Sequence, residues 1–310
     1  MSEPSTAAQP APPAVTLGGE AHAQSQRRRK SRNTVWGRFR RHKLAMLGLT
    51  TLIIFCLAAA LAPVIAPHDP NLVDIRNLKK PPSADHWLGT DSAGRDVLSR
   101  LIYGARISMS VGLVAVTISA AIGILIGIVS GYAGGRLDTL LMRFTELVMT
   151  FPTFFAVVIM VALIGPNVFN VMFVIGLFGW TGIARLVRGQ SLSLREMDYV
   201  QAARALGAPD KRILMAHVLP GVLPHVMVAA TLGLASAILT EAALSFLGLG
   251  VQIPTATWGN MLFAAQSLDV LENQWWLWIP PGLAISSAVL AANFVGDGLR
   301  DAVDPRMQIG

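Results

Sequence analysis

The chain alternates between long apolar stretches without a charged residue and shorter polar segments. The charge-free stretches occupy 44–67, 107–135, 147–184, 213–240 and 273–296. At about 1.5 Å per residue, the first would form a helix of about 36 Å, enough to cross the hydrocarbon core of a bilayer. The third is too long for one span, and Gly165-Pro166-Asn167 divides it at a predicted turn. The pattern therefore predicts six transmembrane helices.

The composition supports a membrane protein and excludes several soluble classes. Hydrophobic residues make up 53% of the chain and charged residues only 14%, against about a quarter charged in soluble chains, and the mean hydropathy is +0.53. A chain with so few charged residues could not cover a water-facing surface with polar groups. This excludes a soluble enzyme, a nucleic-acid-binding domain and a disordered scaffold. Cys56 is the single cysteine, so no internal disulfide can form.

The basic residues are distributed unevenly along the chain, although its net charge of +7 alone would suit a nucleic-acid partner. Nine of the 25 Lys and Arg residues lie between Arg27 and Lys43, directly before the first apolar stretch. With the amino terminus inside, 19 basic residues fall on the inner side of the predicted spans and six on the outer side. Because short cytoplasmic segments are enriched in Lys and Arg, both termini are expected to face the cytoplasm. The first stretch begins too late for a signal peptide and is expected to be a retained anchor.

Three features beside or within the spans have two interpretations each. Residues 93–106 have one apolar and one charged helical face, which fits a helix lying at the outer interface or an extension of the second span. Glu241, at the outer end of the fifth span, could shape the outer mouth of a pathway or fix a loop. The second span carries glycines at four-residue intervals, at Gly123, Gly127, Gly131 and Gly135. Such a row favours close static packing over a sliding interface.

The polar segment 185–212, between the fourth and fifth spans, is expected to contain a short helix on the cytoplasmic side. Ser193 and Glu196 have the spacing of a capping box, which predicts the start of this helix. Gly207 and Pro209 predict its end, because Gly accepts the left-handed conformation and Pro cannot continue a helix. An apolar stripe follows the helix at Met197, Val200, Ala203 and Leu206. From these residues alone, the helix would rest on the bilayer surface.

The same segment resembles the EAA loop of ABC importer permeases. The pattern of that loop is Glu-Ala-Ala, three residues, Gly, nine residues and Ile-x-Leu-Pro. The matching string here is Gln201-Ala-Ala-x-x-x-Gly207, nine residues and His217-x-Leu219-Pro220, which departs from the pattern at Gln201 and His217. Three further strings resemble the dipeptide/oligopeptide/nickel permease family, in particular its second, C-type subunit. They are LGTDSAGRDVLSRLIYGARISMSVG (88–112), EAALSFLGLGVQIPTATWGNML (241–262) and GDGLRDAVDPR (296–306).

The resemblance, which covers about 34–306, implies an all-α integral membrane protein with six transmembrane helices and the type I ABC importer permease fold. Residues 1–34 would form a cytoplasmic tail, and their composition predicts disorder. Residues 35–106 would contain the first transmembrane helix, an outer loop and an interfacial helix. The permease domain would occupy 107–306, with five helices and the EAA-like loop at about 196–220. The expected location is the bacterial cytoplasmic (inner) membrane.

The resemblance also implies partners. These are a second permease subunit that completes a heterodimer, two cytoplasmic ATPase subunits that bind ATP and Mg²⁺, and an extracytoplasmic solute-binding protein that delivers short peptides. The EAA-like loop would form a coupling helix seated in a groove of the ATPase. Its implied interface residues are Tyr199, Gln201, Ala202, Ala203, Arg204, Leu206, Gly207, Asp210, Arg212, Leu219 and Pro220. No cofactor and no nucleic acid is expected on this chain itself.

The residue pattern predicts neither a catalytic nor a metal site. A phosphate-binding loop needs glycines before Gly-Lys and Ser or Thr, whereas the only Lys followed by Ser or Thr is Lys30, in an arginine run. His217 and His225 would be about 12 Å apart along a helix, too far to bind one metal ion. Three alternatives stay open: a nickel or other small-solute permease of the same family, a secondary transporter driven by an ion gradient, and a channel or structural subunit.

Overall fold

The computed structural model describes residues 36–303, so the predicted tail 1–34 and the last residues of the predicted permease domain lie outside the described residues. Between residues 36 and 303 the regular structure is helical, apart from one antiparallel bridge between Thr90 and Asp96. Residues 36–41 are helical, and short 3-10 turns lie at Ile75–Asn77, Phe263–Gln266 and Trp275–Leu277. The α-helices that follow residue 42 are α1 (Lys43–Ala60), α2 (Ala62–Ile65), α3 (Val97–Ala133), α4 (Gly135–Thr150), α5 (Thr153–Ile164), α6 (Val168–Arg195), α7 (Asp198–Ala205), α8 (Asp210–Phe246), α9 (Trp258–Leu262), α10 (Leu268–Asn273) and α11 (Ile279–Val303).

Five helices are long and apolar enough to cross a membrane: α1, α3, α6, α8 and α11 with the short turn before it. The bent pair of α4 and α5 makes six if it counts as one span. Much of the surface of α1 is free of protein contacts, and Leu47, Ile54 and Leu57 are about half exposed, as expected for side chains that face lipid. The predicted all-helical membrane fold is confirmed.

The third span differs from the prediction of a straight helix beginning near residue 147. Helix α4 ends at Thr150, and α5 starts at Thr153 after a bend of 81°. Pro152 explains the bend, because a residue before proline is driven out of the helical conformation, and Phe151 is extended with φ −83° and ψ 130°. The predicted turn at 165–167 is confirmed: Gly165 has φ +96°, and the Asn167 side chain accepts from the Phe169 amide at the start of α6.

The amphipathic segment 93–106 is the beginning of the second span. Helix α3 runs without a break from Val97 to Ala133, and Asp96 caps its amino terminus by accepting from the Ser99 amide at 2.8 Å. The continuity of this helix favours the extended span over the separate interfacial helix named among the predicted domains. The polar face stays folded onto protein: Arg100 is 3% exposed and donates to the Pro70 carbonyl oxygen at 3.1 Å.

The predicted glycine row lies along the contact between α3 and α6. A Cβ atom on Gly123 would lie 2.7 Å from the Ile183 Cβ, and one on Gly127 would lie 2.6 Å from the Ala184 carbonyl oxygen. Gly131 faces the Arg188 carbonyl oxygen in the same way. Gly135 does not belong to this contact, because it begins α4 with φ +58° and open space at its Cβ position. The backbones of α3 and α6 thus approach one another more closely than any side chain would allow.

Candidate functional site

Helix α7 is the short helix that the sequence predicts between the fourth and fifth spans, but it starts later than the capping box suggests. Ser193 lies inside α6, where its hydroxyl donates to the Gly189 carbonyl oxygen at 3.3 Å. Met197 precedes the first turn of α7 and makes no side-chain cap. The capping-box prediction is therefore wrong. The reason is packing: the apolar face of α6 continues to Leu194, which contacts the core and keeps Ser193 in helical conformation.

The predicted end of α7 at Gly207 is confirmed. Gly207 has φ +80°, a conformation that other L-residues rarely adopt. Its amide donates to the Arg204 carbonyl oxygen at 3.0 Å, and the Ala208 amide donates to the Ala203 carbonyl oxygen at 3.1 Å, which closes the last turn. A Cβ on Gly207 would meet nothing within 4 Å. Backbone geometry therefore favours glycine here, and the space in front of it is open.

Helix α7 has one packed face and one exposed face. Val200 is fully buried, and Ala203 packs near it against the cluster that contains Ile213 and Val218. Leu206 is 88% exposed. Also exposed are Met197, Tyr199, Gln201, Ala202, Arg204 and Gly207. Half of the predicted apolar stripe thus anchors the helix to the bundle, while the other half presents apolar side chains outward, as a docking surface does.

Tyr132, near the end of α3, joins α7 and the turn after it to the bundle. Its hydroxyl donates to Asp210 Oδ1 at 2.6 Å, and the Arg204 guanidinium carbon lies 5.3 Å from the centre of its ring, within reach of a cation–π contact. Contact with the Tyr132 hydroxyl raises the pKa of the Arg204 guanidinium. The sequence analysis did not identify Tyr132. The one pattern that could have pointed to it is a single aromatic side chain with a hydroxyl among the glycines near the end of α3.

Two further contacts fix the carboxyl-terminal end of α6, which leads into α7. Arg188 and Asp138 form a two-pronged ion pair, with Nε–Oδ1 and Nη2–Oδ2 distances of 2.6 and 2.7 Å, which joins α6 to α4. Arg195 Nη1 donates to the Tyr132 carbonyl oxygen at 3.3 Å, which joins α6 to α3. A displacement of α7 would therefore be transmitted through these contacts to α3 and α4 as well as to α6.

The remaining residues of the predicted interface are divided between two places. Gln201 donates to the Arg195 carbonyl oxygen at 3.3 Å, and Arg212 is exposed, with no ion pair among the residues that the structure describes. Leu219 and Pro220 lie further along α8, after a turn at Leu214–Val218 where the helix widens to π-helical hydrogen bonding. The exposed residues between Tyr199 and Arg212 thus form one surface above the buried Val200, and Leu219 instead packs into the cluster beneath it.

Glu241, the outer-mouth candidate, lies in α8 and is fully buried. Its Oε2 accepts from the Ser108 hydroxyl of α3 at 3.0 Å, and its Oε1 accepts from the Ser245 hydroxyl at 2.8 Å. The two hydroxyl oxygens in turn accept from the amides of Trp258 and Val251, at 3.2 and 3.3 Å. The carboxylate therefore lines no open surface of this chain. Its contacts are those of the loop-fixing alternative, because they join α3, α8 and the segment that leads into α9.

Comparison with known proteins gives the class of the molecule. A sequence profile described as "Binding-protein-dependent transport system inner membrane component" matches residues 123–309, and one described as "N-terminal TM domain of oligopeptide transport permease C" matches residues 33–82. The dipeptide transport system permease protein DppC of Bacillus subtilis is 41% identical, covering 88% of this chain and 85% of that protein. The oligopeptide transport system permease protein OppC of the same organism is 38% identical, covering 96% of each chain.

The fold has a counterpart among solved structures. A chain of the MetNI methionine ABC transporter, in inward facing conformations, aligns with a TM-score of 0.54 and 18% sequence identity. The alignment covers 66% of this chain and 97% of that chain. At this identity the likeness shows the fold, an ABC transporter permease bundle, and nothing of the solute.

The spans and the matches define a membrane permease subunit of an ABC importer rather than a catalytic enzyme. The chain belongs to the family of binding-protein-dependent transport system inner membrane components. Members of this family are multi-span proteins of the inner membrane that work with ATPase and substrate-binding partners. The predicted family is confirmed, and family membership excludes the secondary-transporter and channel alternatives.

Proposed function

We propose that the chain, paired with a second permease subunit of different sequence, forms the pore of an importer for short peptides. Support for peptides as the solute comes from the relatives, which are named for dipeptide and oligopeptide transport and match nearly the whole chain. A nickel or other small-solute permease of the same family is the alternative. The single structural observation that carries the proposal is the exposed face of α7, held to the bundle by Val200 and Tyr132.

The proposed coupling surface consists of the exposed residues of α7 and the turn after it. Leu206 and Tyr199 offer apolar area, while Arg204 and Asp210 are fixed by Tyr132 and so offer charges in set positions. ATP and Mg²⁺ would be held by the two partner ATPases. Their closure would push α7, and α7 would carry with it the inner ends of α6 and α8, between which it lies in the chain. This movement would switch the pore between inward-facing and outward-facing states.

Isolation of the intact complex tests the function. After mild detergent extraction from the native membrane, the tagged chain should co-purify with a second six-span protein and an ATPase. Its ATPase activity should rise when the purified solute-binding protein is added together with short peptides, and should not rise with the binding protein alone. Recovery of the chain without any ATPase would overturn the importer assignment. Stimulation by Ni²⁺ complexes but not by peptides would favour the alternative solute.

The orientation of the termini is a further part of the proposal. The uneven distribution of basic residues, 19 against six, supports both termini in the cytoplasm. In a Cys56→Ser background, a membrane-impermeant thiol reagent added to spheroplasts should label Lys79→Cys, which is on the proposed outer side. It should label Lys211→Cys only after the membrane is opened. The reverse pattern would show that the chain is inserted the other way round.

A further inference from the structure

Two histidines and an aspartate that are far apart in sequence meet beside the amino terminus of α3. His68 follows α2, His86 lies in the loop 66–96, and Asp96 caps α3. One ligand-type atom from each of the three lies within 4.8 Å of the other two. Neither the family resemblance nor the transport mechanism uses this cluster. We propose that His68, His86 and Asp96 form a binding site for a divalent transition-metal ion of the zinc class.

The geometry of the cluster suits such an ion. The Oδ1 atom of Asp96 lies 3.0 Å from His86 Nδ1 and 3.8 Å from His68 Nδ1. Ligands at about 2.0–2.2 Å from a tetrahedral zinc ion lie about 3.3 Å from one another, which falls between these two distances. A set of two imidazole nitrogens and one carboxylate oxygen suits zinc and its neighbours rather than magnesium or calcium, which prefer oxygen ligands.

Surrounding hydrogen bonds hold Asp96 in the orientation that a ligand needs. Its Oδ2 atom accepts from the amide and the hydroxyl of Ser99, at 2.8 and 2.7 Å. The Ser99 hydroxyl oxygen also accepts from the His68 amide at 3.0 Å, so that Ser99 positions two of the three ligands. The other carboxylate oxygen of Asp96, Oδ1, makes neither of these bonds and faces both imidazole rings. Hydrogen bonds that orient a ligand in this way commonly contribute about 10–100-fold to the affinity of a metal site.

One ligand atom of the cluster, His68 Nδ1, has no hydrogen-bond partner within the residues that the structure describes, whereas His86 Nδ1 is in hydrogen-bond contact with Asp96 Oδ1. Asp96 is 3% exposed, so its charge is removed from water. His68 Nδ1 is buried and faces that carboxylate at 3.8 Å. One divalent ion would give His68 Nδ1 a partner and balance Asp96 at the same time.

The site has a path to solvent and room for a fourth ligand. An open cleft of about 500 Å³ is lined by His68 and by neighbours that include Asp69 and Tyr103. Water could therefore reach the ion on the His68 side. A bound ion would join the segment after α2, the loop at His86 and the start of α3. It would brace the loop 66–96 against the bundle on the side of the protein that we propose to be extracytoplasmic.

Titration of the purified full-length chain with Zn²⁺ tests the proposal. The chain should carry an affinity tag without histidine, be held in lipid nanodiscs and be stripped with a chelator beforehand. One equivalent of Zn²⁺ should bind and raise the thermal unfolding temperature. Co²⁺ at the same site should give visible absorption bands typical of tetrahedral or five-coordinate geometry. Absence of a saturable one-to-one site would overturn the proposal.

Variants separate the site from adventitious binding. Asp96→Asn should keep the helix cap, since Asn caps as well as Asp, yet lose at least about tenfold in Zn²⁺ affinity because the charge is gone. His86→Gln should lose a similar amount. His42→Asn, a histidine cap at the start of α1, is the matched control and should bind Zn²⁺ like the parent chain. Equal affinity in Asp96→Asn, His86→Gln and the control would overturn the proposal, as would an unchanged Co²⁺ spectrum in the two ligand variants.

Discussion

Gly207→Trp is expected to lower peptide uptake by about tenfold or more without preventing membrane insertion. A side chain at this position would point into open space beside Leu206, on the face of α7 that we propose to contact the ATPase. An indole there would hold the two proteins apart, and a loss of about 1.4 kcal/mol of binding free energy suffices for a tenfold effect. The substitution changes no residue of a candidate transmembrane span, so insertion should be normal. Uptake of labelled peptide, normalised to the amount of chain in the membrane, measures the effect.

Two control variants separate obstruction from backbone strain. Gly207→Asn should keep most of the uptake, because Asn tolerates positive φ and is small. Gly165→Trp places the same side chain at another open glycine, with φ +96°, at the turn between α5 and α6. A Trp at Gly165 is strained at least as much, because φ +96° with ψ 144° is a conformation that glycine alone adopts readily, but it lies away from the proposed coupling surface. If Gly165→Trp and Gly207→Trp lost uptake equally, strain rather than contact with the ATPase would be the cause.

The spans could be predicted from the sequence because insertion into a bilayer depends mainly on apolar length. Most predicted spans coincide with helices, and the turn at Gly165 was visible in the residue types. The bend at Pro152 was missed because it lies inside a charge-free stretch, where hydropathy does not vary. The start of α3 stayed open between two interpretations, since both give the same amphipathic pattern, and the unbroken helix from Val97 to Ala133 favours the extended span.

The bounds and contacts of α7, the proposed coupling helix, were predicted in part. Gly207 could be recognised because positive φ and a helix end leave a residue signal, and α7 does end there. The capping box failed at Ser193, because local spacing carries no information about the packing of Leu194. Tyr132 contacts Asp210, 78 residues away, and such a long-range pair leaves no pattern in a single sequence. The cluster of His68, His86 and Asp96 escaped notice for the same reason.

Glu241→Ala is expected to destabilise the chain by about 2–4 kcal/mol, the largest stability effect that we predict for a single polar side chain. Removal of the carboxylate would leave a cavity in a fully buried site. It would also leave the hydroxyls of Ser108 and Ser245 without their acceptor, and each unsatisfied buried group costs about 1–3 kcal/mol. Thermal unfolding of the purified chain in nanodiscs, with the yield of inserted protein, measures the loss.

Comparison with Glu241→Gln shows why the effect is structural. The Gln side chain has the same shape and keeps one oxygen that can accept from a serine hydroxyl, so it should recover roughly half of the lost stability. Glu272→Ala, at an exposed glutamate of α10, should change stability by less than about 0.5 kcal/mol. If Glu241→Ala unfolded at the parent temperature but transport failed, the carboxylate would act on the solute pathway. The outer-mouth interpretation would then replace the one in which Glu241 fixes the loop before α9.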